Sequence, residues 1–229
     1  MIKVFALIPR LPGITDEKFH SHWRNPHGEL AKRITTIRRY SQSHSVAAVV
    51  GGFAPAIYQG IAEVYFDNAE VAAGMGNDPN YIHGCGADEP NFIDQSRLAF
   101  LFCDEHVVLA GPGLAIDSPE VKAMLLLRRA GGLTPETFRE RLNDLTAIAV
   151  SSTPELCRYI QCTTQPALYA GGEPAFDAIV ELSWLTRAAY RRSWSSPGVT
   201  GRYLPALAAI TDPLTSSALL AEPYRVIWP

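Results

Sequence analysis

Three histidines and a tryptophan fall within nine residues, His20-Ser21-His22-Trp23-Arg24-Asn25-Pro26-His27-Gly28. At about 100° per residue, His20, Trp23 and His27 share one face of a helix, and His22 points largely away. Pro26 cannot take an internal helical hydrogen bond, so the helix breaks or kinks there, with Asn25 placed to cap a restarted segment. That kink keeps His22 among the candidates. Imidazoles move protons near neutral pH, and an indole ring is suited to wall a cavity. The chemistry this run points to is general acid/base catalysis by His27, with His22 or His20 as its partner.

The chain that must position these groups is a duplication. All six histidines lie in the first 106 residues, and the last 123 contain none. An offset of 119 aligns residues 3–42 with 122–161 and pairs Lys3 with Lys122, Arg10 with Arg129, Thr15 with Thr134, Tyr40 with Tyr159 and Gln42 with Gln161. Further along the offset becomes 118, pairing Ile61-Ala62-Glu63-Val64 with Ile179-Val180-Glu181-Leu182. So long a period is a domain duplication rather than a solenoid. The expected organisation is a first copy over 1–110, a Pro/Gly-rich linker over 111–120 and a second copy over 121–229.

Each copy reads strand, helix, strand, strand, helix, strand. The strands are expected near 2–9, 38–50, 57–67 and 98–109, and again near 122–128, 157–165, 176–184 and 218–228. The first helices start at Thr15 and Thr134, both suited to N-cap, and end near 36 and 155; shorter second helices fall at 68–76 and 186–194. This is the ferredoxin-like order. The fold class is therefore α+β, two fused ferredoxin-like βαββαβ units packing sheet to sheet as an intramolecular barrel, because neither sheet can cover its own open face. The chain is then a pseudodimer within itself, and a further homodimer through strand edges stays open.

Duplication also sorts residues. What both copies keep serves the fold; what one keeps serves the site. Glu63 has a twin in Glu181, and Arg39/Arg158 repeat a counter-charge, so a structural ion pair is the better reading of Glu63. His20, His22, Trp23 and His27 face Arg139, Arg141, Leu142 and Thr146 in the other copy, and His44 faces Thr163. The long irregular stretch 74–97 reads as a binding loop and carries His83.

Composition excludes several classes. A net charge of −3 and a pI near 6.1 leave no basic patch for nucleic acid or an acidic membrane. With no signal or spanning segment in sight, the expected location is the cytoplasm. The four cysteines form no C-x-x-C pair, so zinc is not expected. A non-haem metal on His20, His27 and His44 would lack a carboxylate.

Residues Phe19–Leu30, followed by Ile57–Phe66, resemble the EthD family. Its Trp-x-x-x-His-Gly core is matched by Trp23, His27 and Gly28, whereas Glu29 stands where the family usually has proline. Residues Phe176–Leu182 look like part of a degenerate second copy. The resemblance implies the dimeric α+β barrel superfamily. EthD-like proteins are named from ether degradation, and related fungal proteins are dehydratases in aromatic polyketide pathways. Neighbouring families include cyclases, cofactor-free monooxygenases and haem enzymes.

The expectation is a cofactor-free lyase or cyclase acting on an apolar, aromatic or polyketide-like carbonyl compound. His27 and His22 are the candidate catalytic residues. His20, Trp23, Tyr40, Gln42, His44, Phe66 and His83 are the candidate substrate-binding residues, with Phe5 as a further wall. The alternatives are an oxygenase of a phenolic compound, either cofactor-free or with haem on one histidine, and a non-catalytic carrier or accessory protein.

Overall fold

A computed structural model describes residues 1–229. The first half runs β1 (Ile2–Ile8), α1 (Asp16–His22), α2 (Gly28–Ala31), β2 (Arg39–Ser45), β3 (Ala54–Pro55), β4 (Gly60–Phe66), α3 (Ala69–Gly74), α4 (Gly86–Asp88) and β5 (Ala99–Leu109). The second runs β6 (Val121–Leu127), α5 (Pro135–Asp144), α6 (Thr146–Ser152), β7 (Arg158–Thr164), β8 (Ala178–Trp184), α7 (Arg187–Trp194), α8 (Leu204–Ala208) and β9 (Ser217–Ile227).

Strand order is β2-β4-β1-β5 in the first half and β7-β8-β6-β9 in the second. The last strand of each half pairs antiparallel with the second strand of the other, β5 with β7 and β9 with β2. Eight antiparallel strands thus close on themselves, and closure removes the free edges that each four-stranded sheet would present alone. The two-residue β3 adds to β9 in parallel. Equivalent positions keep equivalent pairings: Ile2 faces Phe66 as Val121 faces Trp184, and the isolated bridges Arg10–Ile93 and Arg129–Thr211 repeat each other.

Alternation along each strand divides side chains between the barrel interior and the helix-covered outside. Phe5, Leu7, Ile61, Leu101, Met124, Leu126 and Ile179 meet inside the barrel. Phe5 therefore does not wall a pocket under the helices, contrary to expectation; β1 is buried on both faces, which hides its alternation in the sequence. Beside this apolar layer lies a buried quartet of Lys3, Glu63, Lys122 and Glu181. Glu63 accepts from Lys3 at 2.9 Å and from Lys122 at 2.8 Å, so its counter-charges are these lysines and not Arg39. Burial alone would raise the Glu63 pKa, but Lys122 and Lys3 outweigh it and hold the carboxyl below the ordinary range.

Both first helices start where a threonine caps them: Thr15 accepts from Lys18 N and Thr134 from Thr137 N, each at 3.2 Å. In the first half the helix breaks at Asn25 (φ −146°, ψ 125°), an extended conformation that suits a residue before proline. It resumes as α2 and ends at Ala31, earlier than residue 36. The stretch 74–97 is less irregular than expected, because it winds through helical turns at Met75–Asn77, Tyr81–Cys85 and Glu89–Asn91 around α4. No helix is long and apolar enough to cross a membrane.

Candidate functional site

Between the outer face of the first-half sheet and its helices lies a cavity of about 330 Å³. Val4, Ala6, Ala62, Val64 and Phe66 form its floor, and Trp23, Ala31, Ala72 and Met75 lie on its helical side. His27 and Glu89 are the ionisable carboxylate or imidazole groups on an otherwise apolar and aromatic wall, joined by the hydroxyls of Tyr40 and Tyr81 and the thiol of Cys85. Such a mixture, mostly apolar with a few converging polar groups, is the usual make-up of a small-molecule site.

Trp23 reaches the cavity because the sheet makes room beneath it. A Cβ on Gly60 would stand 2.2 Å from the indole ring, so only glycine admits the ring this close to β4. The break at Asn25 then turns His27 onto the cavity wall, where it is buried. His27 Nδ1 lies 3.0 Å from Asp88 Oδ2, and His22 Nε2 lies 2.8 Å from Asp88 Oδ1. One carboxylate therefore joins both candidate catalytic histidines. A carboxylate accepts, so His27 carries its proton on Nδ1 and leaves Nε2 free. His22 faces a separate polar groove with Ser21, Asn25 and Asn91, on the other side of Asp88 from the cavity.

Electrostatics separates these groups. Burial lowers the His27 pKa, and its bond to Asp88 only partly offsets this. Burial pushes Asp88 up, but hydrogen bonds from His22, Asn91 and His27 prevail and keep it ionised. Burial raises the Glu89 carboxyl despite hydrogen bonds from Tyr81 and Gln95. The Cys85 thiol is pushed up to about 12, mainly by burial, and stays protonated. A histidine that burial holds toward its neutral form and a carboxyl that burial pushes upward thus share one wall, the kind of pairing that acid/base chemistry uses.

The remaining sequence candidates divide. Tyr40 and Phe66 line the cavity. Gln42 is fully buried, donating from Nε2 to the Trp23 carbonyl at 2.7 Å and to the Tyr40 hydroxyl at 3.2 Å. His20 and His44 meet at their Nδ1 atoms, 2.8 Å apart, and His44 Nε2 lies 3.1 Å from Gln42 Oε1. They pack behind Trp23, whose ring centroid is 4.5 Å from that of His44, and are not among the cavity-lining residues. His83 is exposed and stands apart from the cavity. With His20 bonded to His44 and His27 to Asp88, these three do not converge as metal ligands. Glu105, Cys162 and Glu181 do cluster, but Lys3 bonds both glutamates and supplies the cation.

Asp88 and Glu89 were not foreseen. A usable signal exists: the offset of 118 continues through residue 94 and sets Asp88 against Ala206 and Glu89 against Leu207. The same offset sets Phe66, Ala72, Gly76 and Cys85 against Trp184, Tyr190, Trp194 and Tyr203. In the second half those four large rings are buried in one core cluster and fill the space that the first half leaves open.

Residues 11–96 match the EthD domain model. No protein of curated function matches the sequence. Among solved structures, an anthrone oxidase-like protein superposes with a TM-score of 0.69 at 9% identity, over 98% of this chain and 93% of that one. An EthD-family protein of Bacillus halodurans aligns at 22% identity and TM-score 0.39, over 46% of this chain and 99% of its own. A dimeric ferredoxin-like protein of Thermobifida fusca aligns at 19% identity and TM-score 0.35, over 47% and 94%. At 9% identity the first likeness shows the fold alone, a dimeric α+β barrel built here within one chain. Residues 11–96 thus match the EthD domain, and a second copy of the same strand and helix order completes the barrel.

Proposed function

We propose that the first-half cavity is the active site of a cofactor-free lyase or cyclase that moves protons on an apolar, aromatic or polyketide-like carbonyl compound. The observation that carries this reading is the Asp88-bound His27, its Nε2 unengaged on a mostly apolar wall that also holds Glu89. In a dehydration, His27 Nε2 takes the proton from the carbon beside the carbonyl. Asp88 stabilises the imidazolium that forms, and Glu89, in the protonated form that its burial favours, delivers a proton to the departing hydroxyl, which leaves as water. The carbon–hydrogen pair becomes the new double bond. His27 then loses its proton to solvent, and Glu89 regains one. In a ring closure the same enolate attacks a second carbonyl. Each step needs a base, an acid and a dry cavity. His22 lies outside that cavity and serves as the solvent-side partner of Asp88.

The test is exchange of the α-protons of 1-tetralone, a bicyclic aryl ketone, in D₂O, followed by NMR. The intact protein should catalyse exchange, and His27→Ala should reduce it by about 10²–10⁴-fold, the usual worth of a general base. Exchange that survives His27→Ala at the original rate sinks the assignment. Oxygen uptake matching substrate loss would point instead to cofactor-free oxidation. Ligand binding without exchange, indifferent to His27→Ala, would point to a carrier.

A further inference from the structure

Both halves contain a buried clasp in which a glutamine holds a tyrosine hydroxyl and a main-chain carbonyl. Gln42 Nε2 donates to Trp23 O and Tyr40 Oη; Gln161 Nε2 donates to Leu142 O at 2.9 Å and to Tyr159 Oη at 2.7 Å. The first half adds a second donor, because Trp23 Nε1–H reaches Tyr40 Oη at 3.0 Å. Two donors occupy both lone pairs of the Tyr40 oxygen. Its own O–H then has no acceptor in the protein, on a side chain 3% exposed that borders the cavity. A buried donor without a partner is costly unless something arrives to accept from it.

The second half shows the shape of group that fits this space, although there the arriving hydroxyl approaches as the donor and the clasp tyrosine as the acceptor. Leu142 stands in place of Trp23, so Tyr159 keeps a lone pair free. Tyr203, at the position of Cys85, brings a phenol ring into the space and its hydroxyl up to that of Tyr159. The approach falls short of a complete hydrogen bond, since the Tyr203 hydroxyl has no partner at bonding geometry. The plug is nonetheless a flat ring with an oxygen at its edge, seated against the clasp tyrosine.

We propose that the Tyr40 hydroxyl is a ligand-binding donor, giving its proton to an oxygen on the edge of a flat ring compound that occupies the first-half cavity as Tyr203 occupies the second. This rests on the reading of that cavity as the reaction site. It adds the group that holds the ligand's carbonyl oxygen and polarises it for proton loss at the neighbouring carbon.

The test compares 1-tetralone with tetralin, the same bicycle without the oxygen, by equilibrium dialysis against the full chain. Intact protein should hold 1-tetralone about tenfold more tightly, an ordinary return for one well-placed hydrogen bond. Tyr40→Phe should erase the preference, and His27→Ala should keep it. Because Tyr40→Phe also strands two buried donors, a structure of the intact protein with 1-tetralone supplies the second measurement. Its carbonyl oxygen should lie within about 3 Å of Tyr40 Oη. An oxygen seated on His27 or Glu89, or equal affinity for the two probes, overturns the donor while leaving the His27 exchange test standing. Failure of both probes to bind overturns the donor and the cavity assignment together.

Discussion

Where β4 passes under the first helix, the first half has Gly60 beneath Trp23, and the second has Ala178 with Leu142 at the helix position. These two exchanges are coupled: a methyl on Gly60 would collide with the indole, and the smaller leucine accepts the alanine. The same compensation runs through the cavity. Phe66, Ala72, Gly76 and Cys85 leave room; Trp184, Tyr190, Trp194 and Tyr203 consume it, with Tyr190 and Trp194 stacked at 6.0 Å between centroids. Polar groups follow the space. His27, Asp88 and Glu89 stand in the open half, and Thr146, Ala206 and Leu207 stand at their positions in the filled one. One backbone plan supports two solutions, a ligand-sized void with ionisable groups and a solid aromatic core without them. The difference teaches that the second copy contributes packing and half of a closed barrel, and that under the proposed function the chemistry falls to the first.

The comparison breaks first on stability. Trp184→Ala removes a ring packed on both sides and should cost about 3–5 kcal/mol. Phe66→Ala, at the matching register, borders a void and forfeits fewer neighbours, so it should cost clearly less. Denaturant unfolding measures both. Equal losses would mean that the first-half cavity is not open space in solution.

A sharper version transplants the plug. Cys85→Tyr places in the first half the residue that Tyr203 supplies in the second, inside a cavity of about 330 Å³ with room for it. Overpacking a filled core costs about 1–3 kcal/mol. Here the melting temperature should instead hold or rise, while 1-tetralone binding and α-proton exchange disappear. A destabilised variant that still exchanges would show that the ligand sits elsewhere.

Much of this arrangement is legible in the sequence, and what is not has identifiable causes. The threonine caps, the strand order and the copy that holds Trp23 and His27 follow from local chemistry and the repeat. The barrel closure follows from two sheets that each need a cover. Asp88 and Glu89 escape notice because they sit in a segment without periodicity, where acids are ordinarily solvated. Only the exchange of Asp88 for Ala206 and Glu89 for Leu207 marks them as belonging to one copy. Phe5 was misplaced because a strand apolar on both faces gives no sign of which residues point inward. Arg39 was the wrong partner for Glu63 although Lys3 and Lys122, also a repeated pair, were equally visible; across a barrel, proximity is set by closure and not by sequence distance.

The smallest effect separates the copies by pH. His44 is lowered to about 3 by burial, with His20 and Arg24 adding to it. It must be neutral to make its two bonds: Nε2–H donates to Gln42 Oε1, and Nδ1 accepts from His20 Nδ1–H. In the unfolded chain the same ring takes a proton near pH 6.5. Between these values the unfolded state binds the proton and the folded state refuses it, so stability falls as pH drops through that window. His44→Thr installs the second half's residue, whose neighbour Gln161 tolerates an unpartnered Oε1. The variant should lose about 1 kcal/mol at neutral pH by stranding the Gln42 oxygen in the same way. Its stability should then decline less steeply between pH 6 and pH 4, by up to about 1.4 kcal/mol per pH unit, the worth of one proton. Urea titrations across that range measure the slope. Parallel slopes would mean that His44 is as free to take a proton folded as unfolded, and the neutral histidine behind Trp23 would no longer distinguish the two halves.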